Sequence, residues 1–168
     1  MANEQWHFSP DDIVAILAAT PERIAEVSGP FSDDQLAREP SPGEWSPREV
    51  LAHLRACADV WGDCIERILT EDVPTLQEVD PHTFIDSTDY REQPFGASFA
   101  AFEAQRTLLL DRLRDLPTES WKRTAAIAGA DVPLHRSVHK YALWLATHER
   151  GHMHWYPRLV SEATAESA

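Results

Sequence analysis

The sequence predicts an all-α protein, a four-helix bundle with a long connection between the second and third helices. Four stretches carry apolar residues at the helical period, and no stretch alternates convincingly in the manner of a strand. Of the 168 residues, 43% are hydrophobic, which suffices for one core. Helices with one apolar face bury that face against one another. A single domain over residues 1–168 is therefore expected, with a core from about residue 10 to 160.

The first two helices have clear start signals. Ser9 is a capping residue before a proline and two acids, and Pro21 predicts a kink or a division into two short helices. Ser46-Pro47-Arg48-Glu49 is a capping box, and the helix that it opens should run to about Leu69. The apolar stripe of this second helix has six members: Val50, Leu54, Cys57, Trp61, Cys64 and Ile68.

The connection over residues 70–93 is acidic and interrupted by prolines. Connections of this length in compact domains often cover a functional site. We expect a turn of helix near Leu76, and we expect Phe84 and Tyr90 to pack back onto the bundle. His82 in this connection is expected to be solvated.

Two further helices complete the bundle. Helical periodicity returns from Ser98 to Leu116, where Arg106 falls among the polar residues. A connector with small residues follows, irregular or partly extended, and Ser137 is a plausible cap for the last helix. Pro157 interrupts the pattern of this helix, so a kink or an end is expected there.

Helical spacing selects one histidine pair near the C-terminus. His148 and His152 lie about 40° apart on one helix face. Two imidazoles one turn apart can hold one divalent metal ion. His139 and His154 point about 180° and about 200° away from this pair. The inward face of the helix is expected to carry both members of the pair, so the sequence predicts half of a metal site.

His53 is the candidate for a third ligand. It lies on the inward edge of the apolar stripe of the second helix. A lone histidine there is more often a hydrogen-bonded core residue than a ligand. Bundles do build metal sites from side chains on facing helices, and His53 meets that requirement if the two helices face each other.

The segment His148-Glu149-Arg150-Gly151-His152 also fits the H-E-x-x-H pattern of zinc proteases. The extended form of that motif requires glycine where Trp155 stands and a third histidine where Arg158 stands. A protease is therefore disfavoured. Glu149 could act as a base, as a partner that orients a ligand, or as a surface carboxylate, and the last two are preferred.

Composition narrows the functional classes. A net charge of −13 repels phosphate backbones, which disfavours nucleic acid and leaves a small molecule or a metal as the expected partner. No apolar run reaches about 18 residues and no signal peptide is visible, so a cytoplasmic protein without a membrane span is expected. Cys57 and Cys64 lie about 10 Å apart along one helix, too far for a disulfide, and are expected as buried thiols.

Two short motifs together resemble the DinB-like superfamily. Trp45-Ser46 with Glu49-Val50-Leu51-Ala52-His53-Leu54 resembles its second-helix signature, and His148-x-x-x-His152 resembles its fourth-helix signature. The likeness covers roughly residues 10–160. It implies a four-helix bundle, frequent homodimers, and a divalent metal, usually zinc or nickel, held by His53, His148 and His152.

The resemblance also implies a chemistry. Some members are S-transferases that use low-molecular-weight thiols such as bacillithiol or mycothiol, and others are described as metal-dependent hydrolases. A metal held by three neutral imidazoles keeps open positions at which water or a thiol is activated. Thiol transfer is slightly favoured here. The alternatives are a metal-binding or stress-response bundle without catalysis, a site closed by Cys57 as a fourth ligand, and a metal-free interaction module.

Overall fold

The computed structural model describes residues 8–165 and confirms the helical bundle. No helix within these residues combines the length and the apolar character needed to cross a bilayer. Four long helices dominate, and short helices and strands fill the connections. In chain order the elements are α1 (Pro10–Ser28), α2 (Asp33–Leu36), α3 (Pro47–Thr70), β1 (Thr75–Leu76), α4 (Pro81–Ile85), α5 (Phe95–Arg114), α6 (Thr118–Trp121), β2 (Thr124–Ile127), β3 (His135–Ser137) and α7 (Val138–Thr164).

The packing of the long helices determines which residues can meet. Helices α1 and α3 each pack against both α5 and α7. Consequently α1 and α3 face each other across one diagonal of the bundle, and α5 and α7 face each other across the second diagonal. The predicted metal ligands, on α3 and α7, therefore belong to adjacent helices.

The predicted helix starts are confirmed. The Ser9 hydroxyl accepts a hydrogen bond from the Asp12 amide at 3.2 Å, and the Asp12 carboxylate accepts one from the Ser9 amide. The same reciprocal capping box joins Ser46 and Glu49 at the start of α3. Ser137 caps α7. These short-range hydrogen bonds satisfy amides that have no partner inside the helix.

Neither internal proline divides its helix. Helix α1 runs continuously through Pro21, so the expected division into two helices is wrong. Proline lacks the amide that would bond the Leu17 carbonyl four residues earlier. Arg106 on α5 replaces that donor, with its Nη1 atom 2.8 Å from the Leu17 oxygen. Helix α7 likewise continues through Pro157 to Thr164, so the expected end at Pro157 is also wrong.

A small sheet, absent from the sequence prediction, organises the connections. Strand β1 pairs in parallel with β2, and β2 pairs antiparallel with β3. Leu76 is therefore in a strand, and the turn of helix expected near Leu76 is wrong. The short helix of the long connection is α4, which begins later in the chain, at Pro81. The pairing joins Thr75 to Ala126, residues far apart in sequence. Phe84 and Tyr90 pack against the bundle as predicted, on the buried cluster of Ala52, Ala56 and Ile85.

Candidate metal site

Helices α3 and α7 bring the three predicted imidazoles together. The Nε2 atoms of His53 and His148 lie 3.1 Å apart. The Nε2 atoms of His148 and His152 lie 3.2 Å apart. The helical spacing of the α7 pair and the inward position of His53 on α3 produce this convergence. His53 is 4% exposed, and the α7 histidines are half-buried.

The two short nitrogen separations each suit shared ligation of a metal ion. Two nitrogens that each lie about 2.1 Å from one ion are at most about 4.2 Å apart, and both measured separations satisfy this limit. A neutral imidazole carries one N–H and one lone pair, so at most a hydrogen bond can join any two of these Nε2 atoms. A divalent cation between two such nitrogens accepts both lone pairs, so both close approaches, His53 with His148 and His148 with His152, suit metal binding.

The protonation state also suits ligation. Burial, together with the neighbouring His148 and His152, lowers the pKa of His53 to about 3. Burial and His148 lower the pKa of His152 to about 4. Burial lowers the pKa of His148 too, against the opposing effect of Glu149. All three imidazoles are therefore neutral near pH 7, and the neutral form is the one that binds metals.

Aromatic rings hold the imidazoles in place. The Nδ1 atoms of all three ligand candidates are buried, and no side chain or backbone group in residues 8–165 hydrogen-bonds them. Each imidazole instead contacts a tryptophan, with ring centroids 5.0–5.5 Å apart. The pairs are Trp45 with His53 at 5.1 Å, Trp61 with His148 at 5.5 Å, and Trp155 with His152 at 5.0 Å.

Cys57 is a fourth possible donor. Its Sγ atom lies 3.7 Å from Nε2 of His53, and the ligand atoms of His53, Cys57 and His148 all lie within 4.8 Å of one another. Burial, followed by the charge of Glu149, raises the pKa of Cys57 to about 12. Without a metal this side chain is therefore a neutral thiol. Both cysteines are free thiols; Cys57 is buried as predicted, whereas Cys64 is only half-buried.

His82 adjoins the site, which the sequence analysis missed. It is exposed, as expected, but its ring stacks on His53 with a centroid separation of 4.8 Å and an interplanar angle of 26°. Asp80 caps α4 by accepting the His82 amide at 3.0 Å. The Asp80-Pro81 pair is a helix-start signal that could have placed this histidine on an ordered turn.

Glu149 is not a surface carboxylate, and that interpretation is wrong. It is fully buried, and both its oxygens accept hydrogen bonds from the guanidinium of Arg106, with Nη1 to Oε2 at 2.7 Å. Arg106 is 1% exposed, so its assignment to a polar face is wrong as well. This ion pair joins α5 to α7 across the bundle. Both oxygens are engaged by a cation, which argues against a role as a catalytic base.

Comparison with known proteins identifies the family. A sequence model of the DinB superfamily matches residues 16–155, which include all three histidines. The chain belongs to the DinB superfamily. Among solved structures, this DinB-superfamily chain is similar to YfiT from Bacillus subtilis, described as a probable metal-dependent hydrolase with an unusual four-helix bundle topology. The TM-score is 0.72 at 19% identity, over 96% of this chain and 88% of YfiT. No curated protein matches significantly.

Proposed function

We propose that this DinB-superfamily protein is a metal-dependent enzyme in which His53, His148 and His152 bind one divalent cation. The observation that carries the proposal is the proximity of three neutral imidazoles, one buried and two half-buried, with Nε2 separations of 3.1 Å for His53–His148 and 3.2 Å for His148–His152. A divalent metal would supply Lewis acidity and a bound nucleophile that is deprotonated near neutral pH. Imidazole ligands suit zinc and nickel, the two metals that we propose.

The ligands leave the metal's charge intact. Three neutral imidazoles contribute no negative charge, so the full 2+ charge acts on whatever occupies the remaining positions. On the protein side of the site lie His53 and the buried Cys57. Toward solvent lie His82, Trp45 and Trp155, all exposed. A small-molecule substrate would therefore approach between the connection that carries His82 and the C-terminal half of α7.

Hydrolysis is the reaction that we propose first. The similarity to YfiT, described as a probable metal-dependent hydrolase, supports water as the nucleophile. The slight preference for thiol transfer in the sequence analysis rested on the resemblance alone, and no comparison supports it. Both reactions use the same three ligands, so a thiol remains the second nucleophile to test.

Metal content tests the proposal directly. We expect about one zinc or nickel ion per chain by elemental analysis, because three ligands are preorganised. A His148→Ala/His152→Ala double variant should lose the metal, and His154→Ala, which removes an exposed imidazole from the same helix, should retain it. The metal-loaded wild type should then hydrolyse members of an ester and amide panel, and chelation should abolish this activity.

Two results would contradict the proposal. A folded wild-type protein that carries no metal and takes up neither zinc nor nickel would leave the histidines as core residues. Metal that stays bound in the double variant would place the site elsewhere. If the metal binds but only reactions with low-molecular-weight thiols proceed, thiol transfer replaces hydrolysis.

A closed, non-catalytic metal site is the second candidate, and the position of Cys57 favours it. Four donors around zinc form a site without an open position, and Cys57 Sγ lies only 3.7 Å from the His53 nitrogen. Cobalt(II) loading separates the candidates, since a bound thiolate adds an intense near-ultraviolet charge-transfer band. The open site predicts no such band in wild type. A band that disappears in Cys57→Ser and persists in Cys64→Ser would establish the closed site.

A further inference from the structure

A cleft lies between the segment that precedes α3 and the last turns of α7. Its volume is about 280 Å³. Two tryptophans, Trp45 and Trp155, form its walls together with the apolar side chain of Leu159. The remaining lining residues are charged: Glu44, Arg158 and Glu162.

Both tryptophans connect the cleft to the histidine cluster. The ring of Trp45 lies 5.1 Å from that of His53, and the ring of Trp155 lies 5.0 Å from that of His152. A molecule in the cleft therefore contacts two indoles that each touch a candidate metal ligand. The cleft and the histidine cluster are linked through these two tryptophans.

The exposure of these tryptophans is unusual. Each indole is 38% exposed, whereas tryptophan is highly buried on average. A contiguous exposed apolar patch that is rimmed by polar residues often marks a binding site. Each indole contacts an imidazole and still exposes part of its ring, so apolar ring surface is available beside the candidate ligands.

Size and charge define what the cleft accepts. Its volume is just below the usual range for ligand pockets, and a cavity of about 150 Å³ is known to hold benzene. One aromatic ring, or two fused rings, would therefore fit. Arg158 pairs with Glu162 at 3.4 Å, so its charge is largely offset. Glu44 adds a carboxylate to the lining, which disfavours an anionic occupant.

We propose that this cleft binds an uncharged aromatic group of the substrate, and that the bond to be cleaved then lies at the three histidines. The inference rests on the proposed function, because the histidines must hold the metal. It adds the substrate class: an aryl or arylalkyl ester or amide whose ring packs between Trp45 and Trp155. The two tryptophans determine specificity and take no part in the chemical step.

Hydroxamates that share one chelating group test the proposal. Acetohydroxamate, cyclohexanecarbohydroxamate and benzohydroxamate are titrated into the zinc-loaded full-length protein by calorimetry. Because an aromatic ring gains a favourable contact with each indole, benzohydroxamate should bind about tenfold tighter than acetohydroxamate. The cyclohexyl compound should fall between the two, because its ring is apolar but cannot stack flat.

Variants locate the effect. Trp45→Ala and Trp155→Ala should each reduce the ratio of benzohydroxamate to acetohydroxamate affinity, while acetohydroxamate binding persists. Leu108→Ala is the control, because Leu108 is an exposed apolar side chain on α5 that lines a different cavity. Circular dichroism of each variant confirms folding. The ratio of benzohydroxamate to acetohydroxamate affinity in the wild type is the primary result and needs no variant.

The outcomes separate the two proposals. Equal affinity for acetohydroxamate and benzohydroxamate on the zinc-loaded wild type would overturn the aromatic cleft and leave the metal-dependent enzyme standing. An equally tight cyclohexyl compound would overturn the preference for a flat ring. Failure of the protein to bind zinc would overturn the proposed function, and the inference that rests on it falls too.

Discussion

Replacement of Arg106 by methionine is expected to lower the free energy of unfolding by about 3–5 kcal/mol. The substitution leaves the Glu149 carboxylate buried and unpaired, since that residue is 0% exposed and bonds through both oxygens to Arg106. It also leaves the Leu17 carbonyl without a donor, because Pro21 has no amide to offer. Urea denaturation followed by circular dichroism measures the loss.

A combined variant should recover most of that stability. In Arg106→Met/Glu149→Leu both charges are removed, and replacement of a buried ion pair by apolar residues of similar volume is often neutral or stabilising. Addition of Pro21→Ala restores an amide for the Leu17 carbonyl, which should contribute about 1 kcal/mol more. The order of stability is therefore expected to be single variant, double variant, triple variant, from lowest to highest.

An exposed ion pair on the same helix provides the control. Arg112 pairs with Glu66, and both side chains are largely solvent-accessible. Arg112→Met should therefore cost no more than about 1 kcal/mol. If Arg106→Met and Arg112→Met lower the free energy of unfolding by similar amounts, the buried Arg106–Glu149 pair stabilises the bundle no more than an exposed pair does.

The metal-free protein is expected to lose stability as the pH falls from about 7.5 to about 5. An unfolded histidine titrates near pH 6.5, whereas the folded pKa is about 3 for His53 and about 4 for His152. Below about pH 6.5 the unfolded chain thus binds protons that the folded chain does not. The contribution of these histidines to the free energy of unfolding is complete above that pH and falls as the pH decreases. His53 alone contributes about 2 kcal/mol over this range, and the half-buried His152 contributes less.

Chelated protein in urea titrations at several pH values provides the measurement. His53→Gln should flatten the pH dependence by up to about 1.4 kcal/mol per pH unit, which corresponds to one proton. His135→Ala, which removes an exposed imidazole from β3, should behave as wild type. Wild-type stability that stays constant over the range would mean that the three imidazoles are already protonated or solvated in the folded state.

The parts of the fold that were predicted depend on short-range sequence. Ser9 and Ser46 meet their capping partners three residues later, so a short window contains the entire interaction. The His148/His152 pair is fixed by one turn of helix. His53 required more: its inward position was visible in the stripe of α3, but a ligand role followed only when the resemblance joined it to α7.

The parts that were missed depend on distant partners. Arg106 looked like a surface residue because its anion lies 43 positions away and its carbonyl acceptor 89 positions away. Strand β1 has two residues, too few for a periodic signal, and exists only because β2 lies beside it. Trp45 was noted within a motif, but its contact with His53 depends on how the segment before α3 packs.

The attachment of the long connection has an entropic consequence for His82. A free loop over residues 71–94 would pay a closure cost that grows with the logarithm of its length. Thr75 is fixed by strand pairing and Ile85 by burial against α3, so the span that contains His82 is much shorter than the whole connection. This imidazole consequently has a high effective concentration at the three-histidine cluster, although it belongs to neither helix that supplies those histidines.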